Sequence, residues 1–521
     1  MMYSRCPVVL RQCSALIAVL AAAVLSGCQQ EVTFIPSRLQ QHSIDRAVVE
    51  YPAGYELKLA ARFLTAPTAM AFDSDGSVII AENSLQGDEV RIFGFKTDGT
   101  RFDIYPKKNV AMPLGSAKGK FIVRAPVGGM VVADGRLYVT HRDANDRGVV
   151  TSFDYHGNPT TVVADLPAEG DYGVTDIAIG PDGSRIYFGV GSMTNSGVVG
   201  ADNWDTWAEQ HPDAADIPGV SLKLLGYRFD STNPRAGFFS GNNLAVTAPF
   251  QPFGQSKLTW VRPRENGKPS AAIYSVSPKG GDVHVEANGF RYSRGLAFNE
   301  YGRLYATDAG MELRGTRPVK NDPDTLLRVV RGTWYGWPDY SADLLPIDDP
   351  HFQPPAEMII KSGYPELSFL IDHQASGLLR PDRNTLLRAT FPVQAGAARL
   401  DFVPAESAFR EYRGSAIIAL TGDRAESPAS PQESSPVGRK IVCVDVDARR
   451  TSDLVFNTKA AISGRAPGET VELLERPIDV KFSPDGSMYI LDCGQIDYEN
   501  GQPKTIHPRT GKLYRLQRTA K

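Results

Sequence analysis

Cysteine, dense basic clusters and long apolar segments are all scarce in this chain of 521 residues. There are five cysteines, and Cys6 and Cys13 lie within the first 27 residues. Cys443 and Cys493 fall in predicted strands, where they could pair in an exported protein or lie apart as buried thiols. The formal net charge is −3, with no run of Lys and Arg, so the chain lacks the electrostatic signature of a nucleic-acid-binding protein. After residue 28 no apolar run approaches the roughly 18 residues of a transmembrane helix, so the rest of the chain is expected to be soluble.

The N-terminus has the order of an export signal. Arg5 and Arg11 precede an apolar run over 15–25, which is followed by the sequence Leu-Ser-Gly-Cys ending at Cys28. This resembles a bacterial lipobox, so we expect residues 1–27 to be a lipoprotein signal peptide and Cys28 to carry the lipid. The expected location is the periplasmic face of the outer membrane or the cell surface, with the lipid as the only membrane contact.

Glycine and proline are abundant, at 48 and 37 residues, while helical periodicity is weak throughout. One hairpin pattern, a strand, a tight turn ending in Gly and a second strand, occurs six times. The copies begin at Pro67, Pro126, Val174, Arg294, Ala398 and Pro477. Short strands with Asp-Gly turns indicate an all-β protein, and six blade-like repeats favour a six-bladed β-propeller over a sandwich.

The same pattern suggests the domain boundaries. We expect a tether over 28–42 and one propeller over 43–521, with long insertions near 196–285 and 312–396. Ring closure is predicted to pair an N-terminal strand around Leu57 with the C-terminal strand at 512–516, because closure removes exposed sheet edges.

An ordered set of motifs carries the functional signal. Gly-Asp-Tyr-Gly at 170–173 is followed by Gly-Ser-Met-Thr-Asn at 191–195, Gly-Phe-Arg-Tyr-Ser-Arg-Gly-Leu-Ala-Phe at 289–298 and Tyr-Gly-Trp-Pro at 335–338. In this order they resemble the glucose/sorbosone dehydrogenase family, six-bladed propellers that oxidise sugars with pyrroloquinoline quinone (PQQ) and calcium. The resemblance covers nearly the whole mature chain.

The resemblance implies a role for several residues. Arg291, with Tyr292 and Asn195, would hold the quinone, and the carbonyl groups of Gly310 and Met311 would bind calcium. Further cations for the carboxylates of the quinone are expected by their position after the fifth-blade motifs. They are Arg380, Arg424, Arg439 and Lys440. The expected ligand is a small sugar.

The sequence departs from the family at the general base, where the family has His and this chain has Tyr172. An ordinary tyrosine, with a pKa near 10, is a poor base at neutral pH, so His141 is a second candidate. Three functions therefore stay open. They are a PQQ-dependent sugar dehydrogenase, a propeller that binds a ligand or carbohydrate without catalysis, and a lactonase-type hydrolase with carboxylates such as Glu82, Asp308 and Asp492.

Overall fold

The computed structural model describes residues 31–83, 90–107, 121–236, 243–358, 366–422, 437–463, 472–499 and 502–519. Within them the chain is mostly antiparallel strands arranged as six sheets, each the blade of a six-bladed β-propeller. The first strand of each blade lies against the first strand of the next, and the contact between blades 6 and 1 closes the ring. The predicted fold class is confirmed.

The strands of each blade follow the chain from the centre outward. Blade 1 contains Pro67–Phe72, Val78–Asn83, Val90–Phe95 and Arg101–Tyr105. Blade 2 contains Arg124–Ala133, Arg136–Arg142, Gly148–Phe153 and Pro159–Leu166. Blade 3 contains Val174–Ile179, Ile186–Val190, Ala272–Val276 and His284–Asn288. Blade 4 contains Gly295–Phe298, Leu304–Asp308, Asp324–Arg328 and Leu387–Phe391. Blade 5 contains Ala397–Phe402, Ala416–Leu420, Lys440–Asp445 and Arg450–Asn457, and Val49–Glu50 pairs at the outer edge of blade 5.

Blade 6 is built from both ends of the chain. Its inner strands are Pro477–Phe482 and Met488–Asp492, followed by Gly511–Arg518 and then by the N-terminal strand Tyr55–Leu64. The C-terminal strand pairs with the N-terminal strand over its whole length, with Leu516 opposite Leu57, as predicted.

The described part of the expected tether belongs to this blade. Thr33–Phe34 pairs with Arg62 and Ala61, and His42–Ser43 pairs with Leu59 and Lys58. The expectation of a tether is therefore wrong for these residues, because their backbone groups hydrogen-bond to the sheet edge.

The six predicted hairpins are the two inner strands of the six blades. Each turn ends on a glycine with positive φ, between 68° at Gly135 and 84° at Gly76. Glycine adopts this conformation without steric cost, so the turn residue that marks each repeat in the sequence also sets the hairpin geometry.

Buried carboxylates connect neighbouring blades. Asp176 of blade 3 accepts a hydrogen bond from the backbone N–H of Leu296 in blade 4 at 3.0 Å, and Asp479 of blade 6 accepts one from Met70 in blade 1 at 2.9 Å. Asp324 and Asp401 connect blades 4 to 5 and 5 to 6 in the same way. Burial raises the pKa of Asp479 to about 6.

Two long excursions interrupt blades 3 and 4. They are shorter than the sequence predicted, because the third strand of blade 3 and the two outer strands of blade 4 lie inside the expected insertions. The excursions and other loops carry the remaining described elements. The strands among them are Leu222–Lys223, Phe229–Thr232, Leu244–Thr247, Trp260–Val261, Ile496–Glu499 and Gln502–Ile506. The helices are the α-helices Ala201–Asn203, Arg383–Leu386 and Lys459–Ser463, the π-helix Trp204–Ala208 and the 3₁₀ helices Pro350–Phe352, Ala356–Met358 and Arg410–Tyr412.

Two further findings concern cysteine and the membrane. Cys443 and Cys493 are both buried and unpaired, so of the two possibilities the structure has separate thiols. No helix in the described residues is long and apolar enough to cross a membrane. Cys28 and the signal peptide lie outside the described residues.

Candidate functional site

A pocket opens over one end of the propeller channel, with about 760 Å³ of space between its atoms when the solvent at its mouth is included. We call it the arginine pocket. Loops of blades 3 to 6 form it, and its lining residues include Tyr172, Arg291, Tyr292, Arg294, Gly310, Met311, Glu312, Asp322, Asp324, Thr421, Arg476 and Tyr498. Five residues of the predicted site, Tyr172, Arg291, Tyr292, Gly310 and Met311, therefore lie around one cavity.

Arg291 is fixed at the base of this pocket. Its guanidinium donates to the carbonyl of Gly310 at 2.6 Å, to the side-chain oxygen of Asn195 at 2.9 Å and to the hydroxyl of Tyr172. The side chain is 3% exposed, so these contacts replace water almost completely. Arg291 is thus a rigid positive charge.

Asn195 supports this arrangement from behind the pocket. Its side-chain oxygen also accepts from the backbone N–H of Glu312 at 2.8 Å, while its side-chain nitrogen donates to the carbonyl groups of Glu312 and Arg314. Asn195 is not among the lining residues of the pocket, so its direct contacts position Arg291 and the loop over 309–314.

Tyr172 sits between two guanidinium groups. Arg314 donates to its hydroxyl at 2.8 Å, and Arg291 lies 4.4 Å from the ring centre. Burial raises the pKa of Tyr172 to about 12, although both arginines act to lower it. Its ring also contacts that of Tyr292, with 4.7 Å between centroids.

Burial, together with the carboxylates around Tyr172, explains why the arginines do not ionise it. Arg314 forms ion pairs with Asp171 at 2.6 Å, with Asp202 at 3.0 Å and with Glu312 at 2.5 Å. Glu312 also lies 3.4 Å from Arg291. Three carboxylates thus face two guanidinium groups, which leaves no excess positive charge to stabilise a phenolate.

His141 lies away from the arginine pocket and is a structural residue. It is fully buried on the second strand of blade 2, where its ring nitrogens contact the carbonyl of Arg142 at 2.7 Å and the hydroxyl of Thr151 at 2.8 Å. Burial lowers its pKa to about 4. The hypothesis that His141 is the base is wrong, because both nitrogens are already bonded inside the blade.

The cations of the pocket differ from those predicted. Arg380 is exposed and outside the lining, and Lys440 pairs with Asp453 at 2.7 Å on the outer part of blade 5. Arg439 likewise does not line the pocket, and Arg424 lies outside the described residues. Arg294 and Arg476 line it instead.

These two arginines stand beside tyrosine rings. Arg476 lies 4.5 Å from the ring centre of Tyr498, and Arg294 lies 5.7 Å from that of Tyr292 and contacts Thr421 at 3.4 Å. Arg294 follows Arg291 within one motif, so it could have been found from the sequence. Arg476 and Tyr498 could not, because they are brought there only by ring closure.

Buried carboxylates form the floor of the pocket and hold its loops. Asp324 accepts from the N–H of Gly310 at 3.1 Å and Asp322 from that of Met311 at 2.7 Å, and burial raises the pKa of both. Burial also raises the pKa of Asp308, to about 7. Arg294 and Arg476 are the cations of the lining on the side away from Glu312.

The predicted calcium position does not fit a cation. The carbonyl of Gly310 accepts the bond from Arg291, so a divalent ion bound to it would lie against a buried guanidinium. Met311 packs its side chain in an apolar cluster. Among the described residues no three His, Cys, Asp or Glu side chains are placed to share a metal ion.

The carboxylates considered for a lactonase do not converge either. Glu82 binds the N–H of Thr65 and pairs with Arg91, and Asp492 binds the N–H groups of Glu475 and Gly494. Asp308 binds those of Arg291 and Tyr292. Each one holds the loop that enters its own blade, which is a structural role.

Comparison with solved structures finds propellers of carbohydrate oxidation. The PQQ domain of pyranose dehydrogenase from Coprinopsis cinerea, in its holo form, is 12% identical over 91% of this chain and 98% of that chain, with a TM-score of 0.49. A family AA12 carbohydrate-active enzyme from Trichoderma reesei is 13% identical over 92% and 100%, with a TM-score of 0.48. The PQQ-bound aldose sugar dehydrogenase from Streptomyces coelicolor is 15% identical over 90% and 100%, with a TM-score of 0.45.

The chain is similar to quinone-dependent sugar dehydrogenases. The sequence motifs resemble a family of that same kind. At these identities the likeness concerns the fold, so the function is argued below from the residues of the arginine pocket. No protein-family model matches the chain, and a comparison with curated proteins gives no match.

Proposed function

We propose that the arginine pocket binds a planar, carboxylate-bearing redox cofactor of the PQQ class, and that the protein is an oxidoreductase acting on a small sugar or related alcohol. The observation that supports this most directly is the set of three arginines, Arg291, Arg294 and Arg476, around one cavity. The ordered motifs in the sequence support it independently.

The pocket chemistry fits such a molecule. Arg294 and Arg476 would pair with its carboxylates, and the rings of Tyr292 and Tyr498 offer apolar faces to a conjugated plane. The buried charge of Arg291 would stabilise negative charge that develops on the quinone oxygen. When bound, the quinone would supply the capacity to accept two electrons from the substrate.

Glu312 is the best candidate for the residue that takes the proton from the substrate. Its carboxylate lines the pocket and is 18% exposed, whereas Asp322 and Asp324 are buried. Tyr172 is protonated at neutral pH and is held by two arginines. We therefore assign it a role in hydrogen bonding and not in accepting the proton.

The test is calorimetric titration of the purified protein with PQQ, alone and with variants of the pocket cations. We expect Arg294→Gln and Arg476→Gln each to weaken binding by about tenfold to a hundredfold, since each loses a charge-assisted hydrogen bond. Lys440→Gln is the matched control, because Lys440 pairs with Asp453 away from the pocket, and it should bind as the native protein does. A native protein that does not bind PQQ would refute the proposal.

Calcium is tested in the same titration. Because Arg291 already donates a hydrogen bond to the carbonyl of Gly310, we expect the affinity for PQQ to be the same with calcium and with a chelator. An affinity that rises steeply with calcium would show that Arg291 leaves this position and that the ion binds there.

A ligand-binding propeller without turnover is the second candidate. The raised pKa of Tyr172, at the position where the family has its catalytic His, favours it. Dye reduction with a panel of aldoses separates the two, since the binding protein would take up PQQ without any reduction of dye.

The N-terminal lipid is a separate part of the proposal. Cys28 would anchor the protein to a membrane facing the periplasm or the exterior, and Cys28→Ser should move it from the membrane fraction to the soluble fraction. If the Ser variant stays membrane-bound and lipid-labelled, the anchor is elsewhere.

A further inference from the structure

A two-stranded ribbon in the blade 3 excursion presents an outer face to solvent. Its strands are Leu222–Lys223 and Trp260–Val261, in which Lys223 lies opposite Trp260. The backbone hydrogen bond from Leu224 to Thr259 continues this register. Because side chains alternate between the two faces of a strand, one face of the ribbon carries Lys223, Leu225, Leu258 and Trp260.

Both faces of this ribbon are apolar. The inner face packs into a buried apolar cluster through Leu222, Leu224 and Val261. The outer face exposes Leu225, Leu258 and Trp260, by 47%, 56% and 43%. A strand with one solvated face ordinarily has polar residues on that face. The outer face is therefore suited to contact something other than water.

A neighbouring turn extends the exposed apolar surface. The N–H of Lys223 donates to the hydroxyl of Ser376 at 2.8 Å, which holds the turn beside the ribbon. On this turn Leu379 is 84% exposed, more than any other large apolar side chain of the described residues. Single exposed apolar side chains are normal, but several on adjoining segments mark an interaction surface. We call this surface the ribbon patch, which consists of Lys223, Leu225, Leu258, Trp260 and Leu379.

The segments that form the ribbon patch are basic. Residues 217–229, 252–263 and 373–381 contain no Asp or Glu, and their cations are Lys223, Arg228, Lys257, Arg262 and Arg380. In the described part of the chain no carboxylate forms an ion pair with any of these five. Among the flanking carboxylates, Asp216 is buried, and backbone N–H groups bind Asp372 and Asp382. The surface thus combines apolar side chains with unpaired positive charge.

The N-terminal chain leads toward the arginine-pocket end of the propeller. Thr33–Phe34 runs antiparallel to Tyr55–Leu64, so the residues before Thr33 lead toward Leu64. Antiparallel pairing places Leu64 at the end of blade 6 where the first strand begins, directly after Arg476 of the arginine pocket. Cys28 is five residues before Thr33, a length that spans at most about 18 Å. A lipid on Cys28 would therefore hold this end toward the membrane.

The excursion that carries the ribbon patch starts from the same end. It begins after Val190 and returns at Ala272, and these two residues pair with each other. Val190 also pairs with Val174, two residues after Tyr172 of the arginine pocket. The proposed lipid and the ribbon patch thus both belong to segments that extend from one end of the propeller.

We propose that the ribbon patch docks on the surface of a bilayer that contains anionic phospholipid, as a second membrane contact besides the lipid on Cys28. Tryptophan and leucine suit the boundary between headgroups and acyl chains, and each Lys or Arg near an anionic surface adds attraction. A second copy of the chain fits less well, because a symmetric contact would bring the cations of both patches together. The proposal rests on the proposed anchor only for the nearness of a membrane, and it is independent of the redox function.

The test is cosedimentation with vesicles of phosphatidylethanolamine, with and without phosphatidylglycerol. It uses the chain from Gln29 onward, which keeps all six blades and lacks Cys28, so that no lipid contributes. We expect binding that requires phosphatidylglycerol and weakens as salt is added. The double variant Leu258→Ser, Leu379→Ser should weaken binding by about tenfold or more, and Lys257→Gln by about fivefold.

Matched controls come from the opposite end of the propeller. Tyr301 is 69% exposed and Arg303 is exposed, and both lie at the turn between the inner strands of blade 4. Tyr301→Ser and Arg303→Gln should bind the vesicles as the parent chain does. All substituted side chains are exposed, so each variant should keep the thermal unfolding temperature of the parent, and this is measured first.

Three outcomes would overturn the proposal. They are no binding to vesicles with phosphatidylglycerol, equal binding to phosphatidylethanolamine alone, and binding that the patch variants leave intact. A dimer that the double variant separates, seen by sedimentation velocity without vesicle binding, would assign the patch to a second copy instead. Failure of the anchor is recognised separately, because a Cys28→Ser chain that stays lipid-labelled does not change the vesicle binding of the chain from Gln29.

Discussion

Single residues decide the chemistry of the arginine pocket, and Tyr172 is the clearest case. The sequence shows a tyrosine where the family has a base, but it cannot show the electrostatic surroundings. Arg291 and Arg314 are neutralised by Asp171, Asp202 and Glu312, and burial then raises the pKa of the phenol to about 12. The residue is thereby suited to hydrogen bonding rather than to proton transfer at neutral pH.

The first prediction separates Glu312 from Tyr172 and depends on the proposed oxidoreductase function. Glu312→Gln should lower kcat by about a hundredfold or more, because it removes the only proton acceptor we assign, while PQQ should still bind. Tyr172→Phe, which keeps the ring and its contacts, should retain activity within about tenfold. Dye reduction gives the rates and calorimetry the affinities. The reverse ranking of the two variants would assign the base to Tyr172.

The second prediction concerns His141 and the pH dependence of stability. Its folded pKa of about 4 lies below the value of about 6.5 in an unfolded chain. The neutral ring therefore stabilises the fold fully above pH 6.5, and this contribution is lost as the pH falls toward 4, by about 3 kcal/mol in total.

Urea unfolding at neutral and acidic pH measures this loss. His141→Gln, which does not take up a proton, should lose less stability on acidification than the native protein. The same change at the exposed His156 is the control and should leave the pH dependence as it is. If His141→Gln shows the full native loss, the acid sensitivity has another origin.

At the scale of elements, the blade that joins the two chain ends is the one most sensitive to change. The C-terminal strand Gly511–Arg518 lies between Met488–Asp492 and the N-terminal strand Tyr55–Leu64, so it is an interior strand of blade 6. Its apolar residues, including Leu513 and Leu516, are fully buried. Without it the N-terminal strand would have no partner in the ring.

The third prediction follows from this position. Leu513→Ala should lower the free energy of unfolding by about 2–5 kcal/mol, because it leaves a cavity in a packed core. Leu39→Ala, on a side chain that is 57% exposed, should change it by less than about 0.5 kcal/mol. Denaturant unfolding gives both values, and equal effects would mean that the C-terminal strand does not close the ring in solution.

At the scale of the whole molecule, Arg399 joins the blades at the channel. It extends from the inner strand of blade 5 and donates to carbonyl groups of Thr68, Val127, Gly128 and Ile478, which belong to blades 1, 2 and 6. It also lies 3.4 Å from Asp176 of blade 3. One side chain thus contacts four other blades.

The fourth prediction tests this role. Arg399→Met keeps most of the apolar volume but removes the guanidinium that hydrogen-bonds to the buried carbonyl groups and lies beside the carboxylate of Asp176. The free energy of unfolding should therefore fall by about 3–5 kcal/mol. Arg410→Met, at an exposed position, is the control and should have little effect. Thermal and denaturant unfolding are the measurements. A stable Arg399→Met protein would show that the carboxylate contacts between blades suffice.

The sequence by itself determined the features that repeat or that depend on neighbouring residues. Six strand–turn–strand copies gave the number of blades, because each turn glycine adopts its positive φ locally. The closing pair of strands was also predictable, since a ring leaves only one partner for each end of the chain. Within the candidate site, Arg291, Tyr172 and the loop at Gly310 were found because each lies in a motif of adjacent residues.

Only the tertiary structure decided which distant groups share one environment. Arg476 and Tyr498 reach the arginine pocket because loops of blades 3 to 6 meet over one end of the channel, whereas Lys440 pairs with Asp453 within its own blade. The pKa of Tyr172, the place of His141 and the occupied carbonyl of Gly310 depend on burial and on contacts between loops far apart in sequence. Burial and long-range charge arise only when the ring has closed, so no local pattern of residues encodes them.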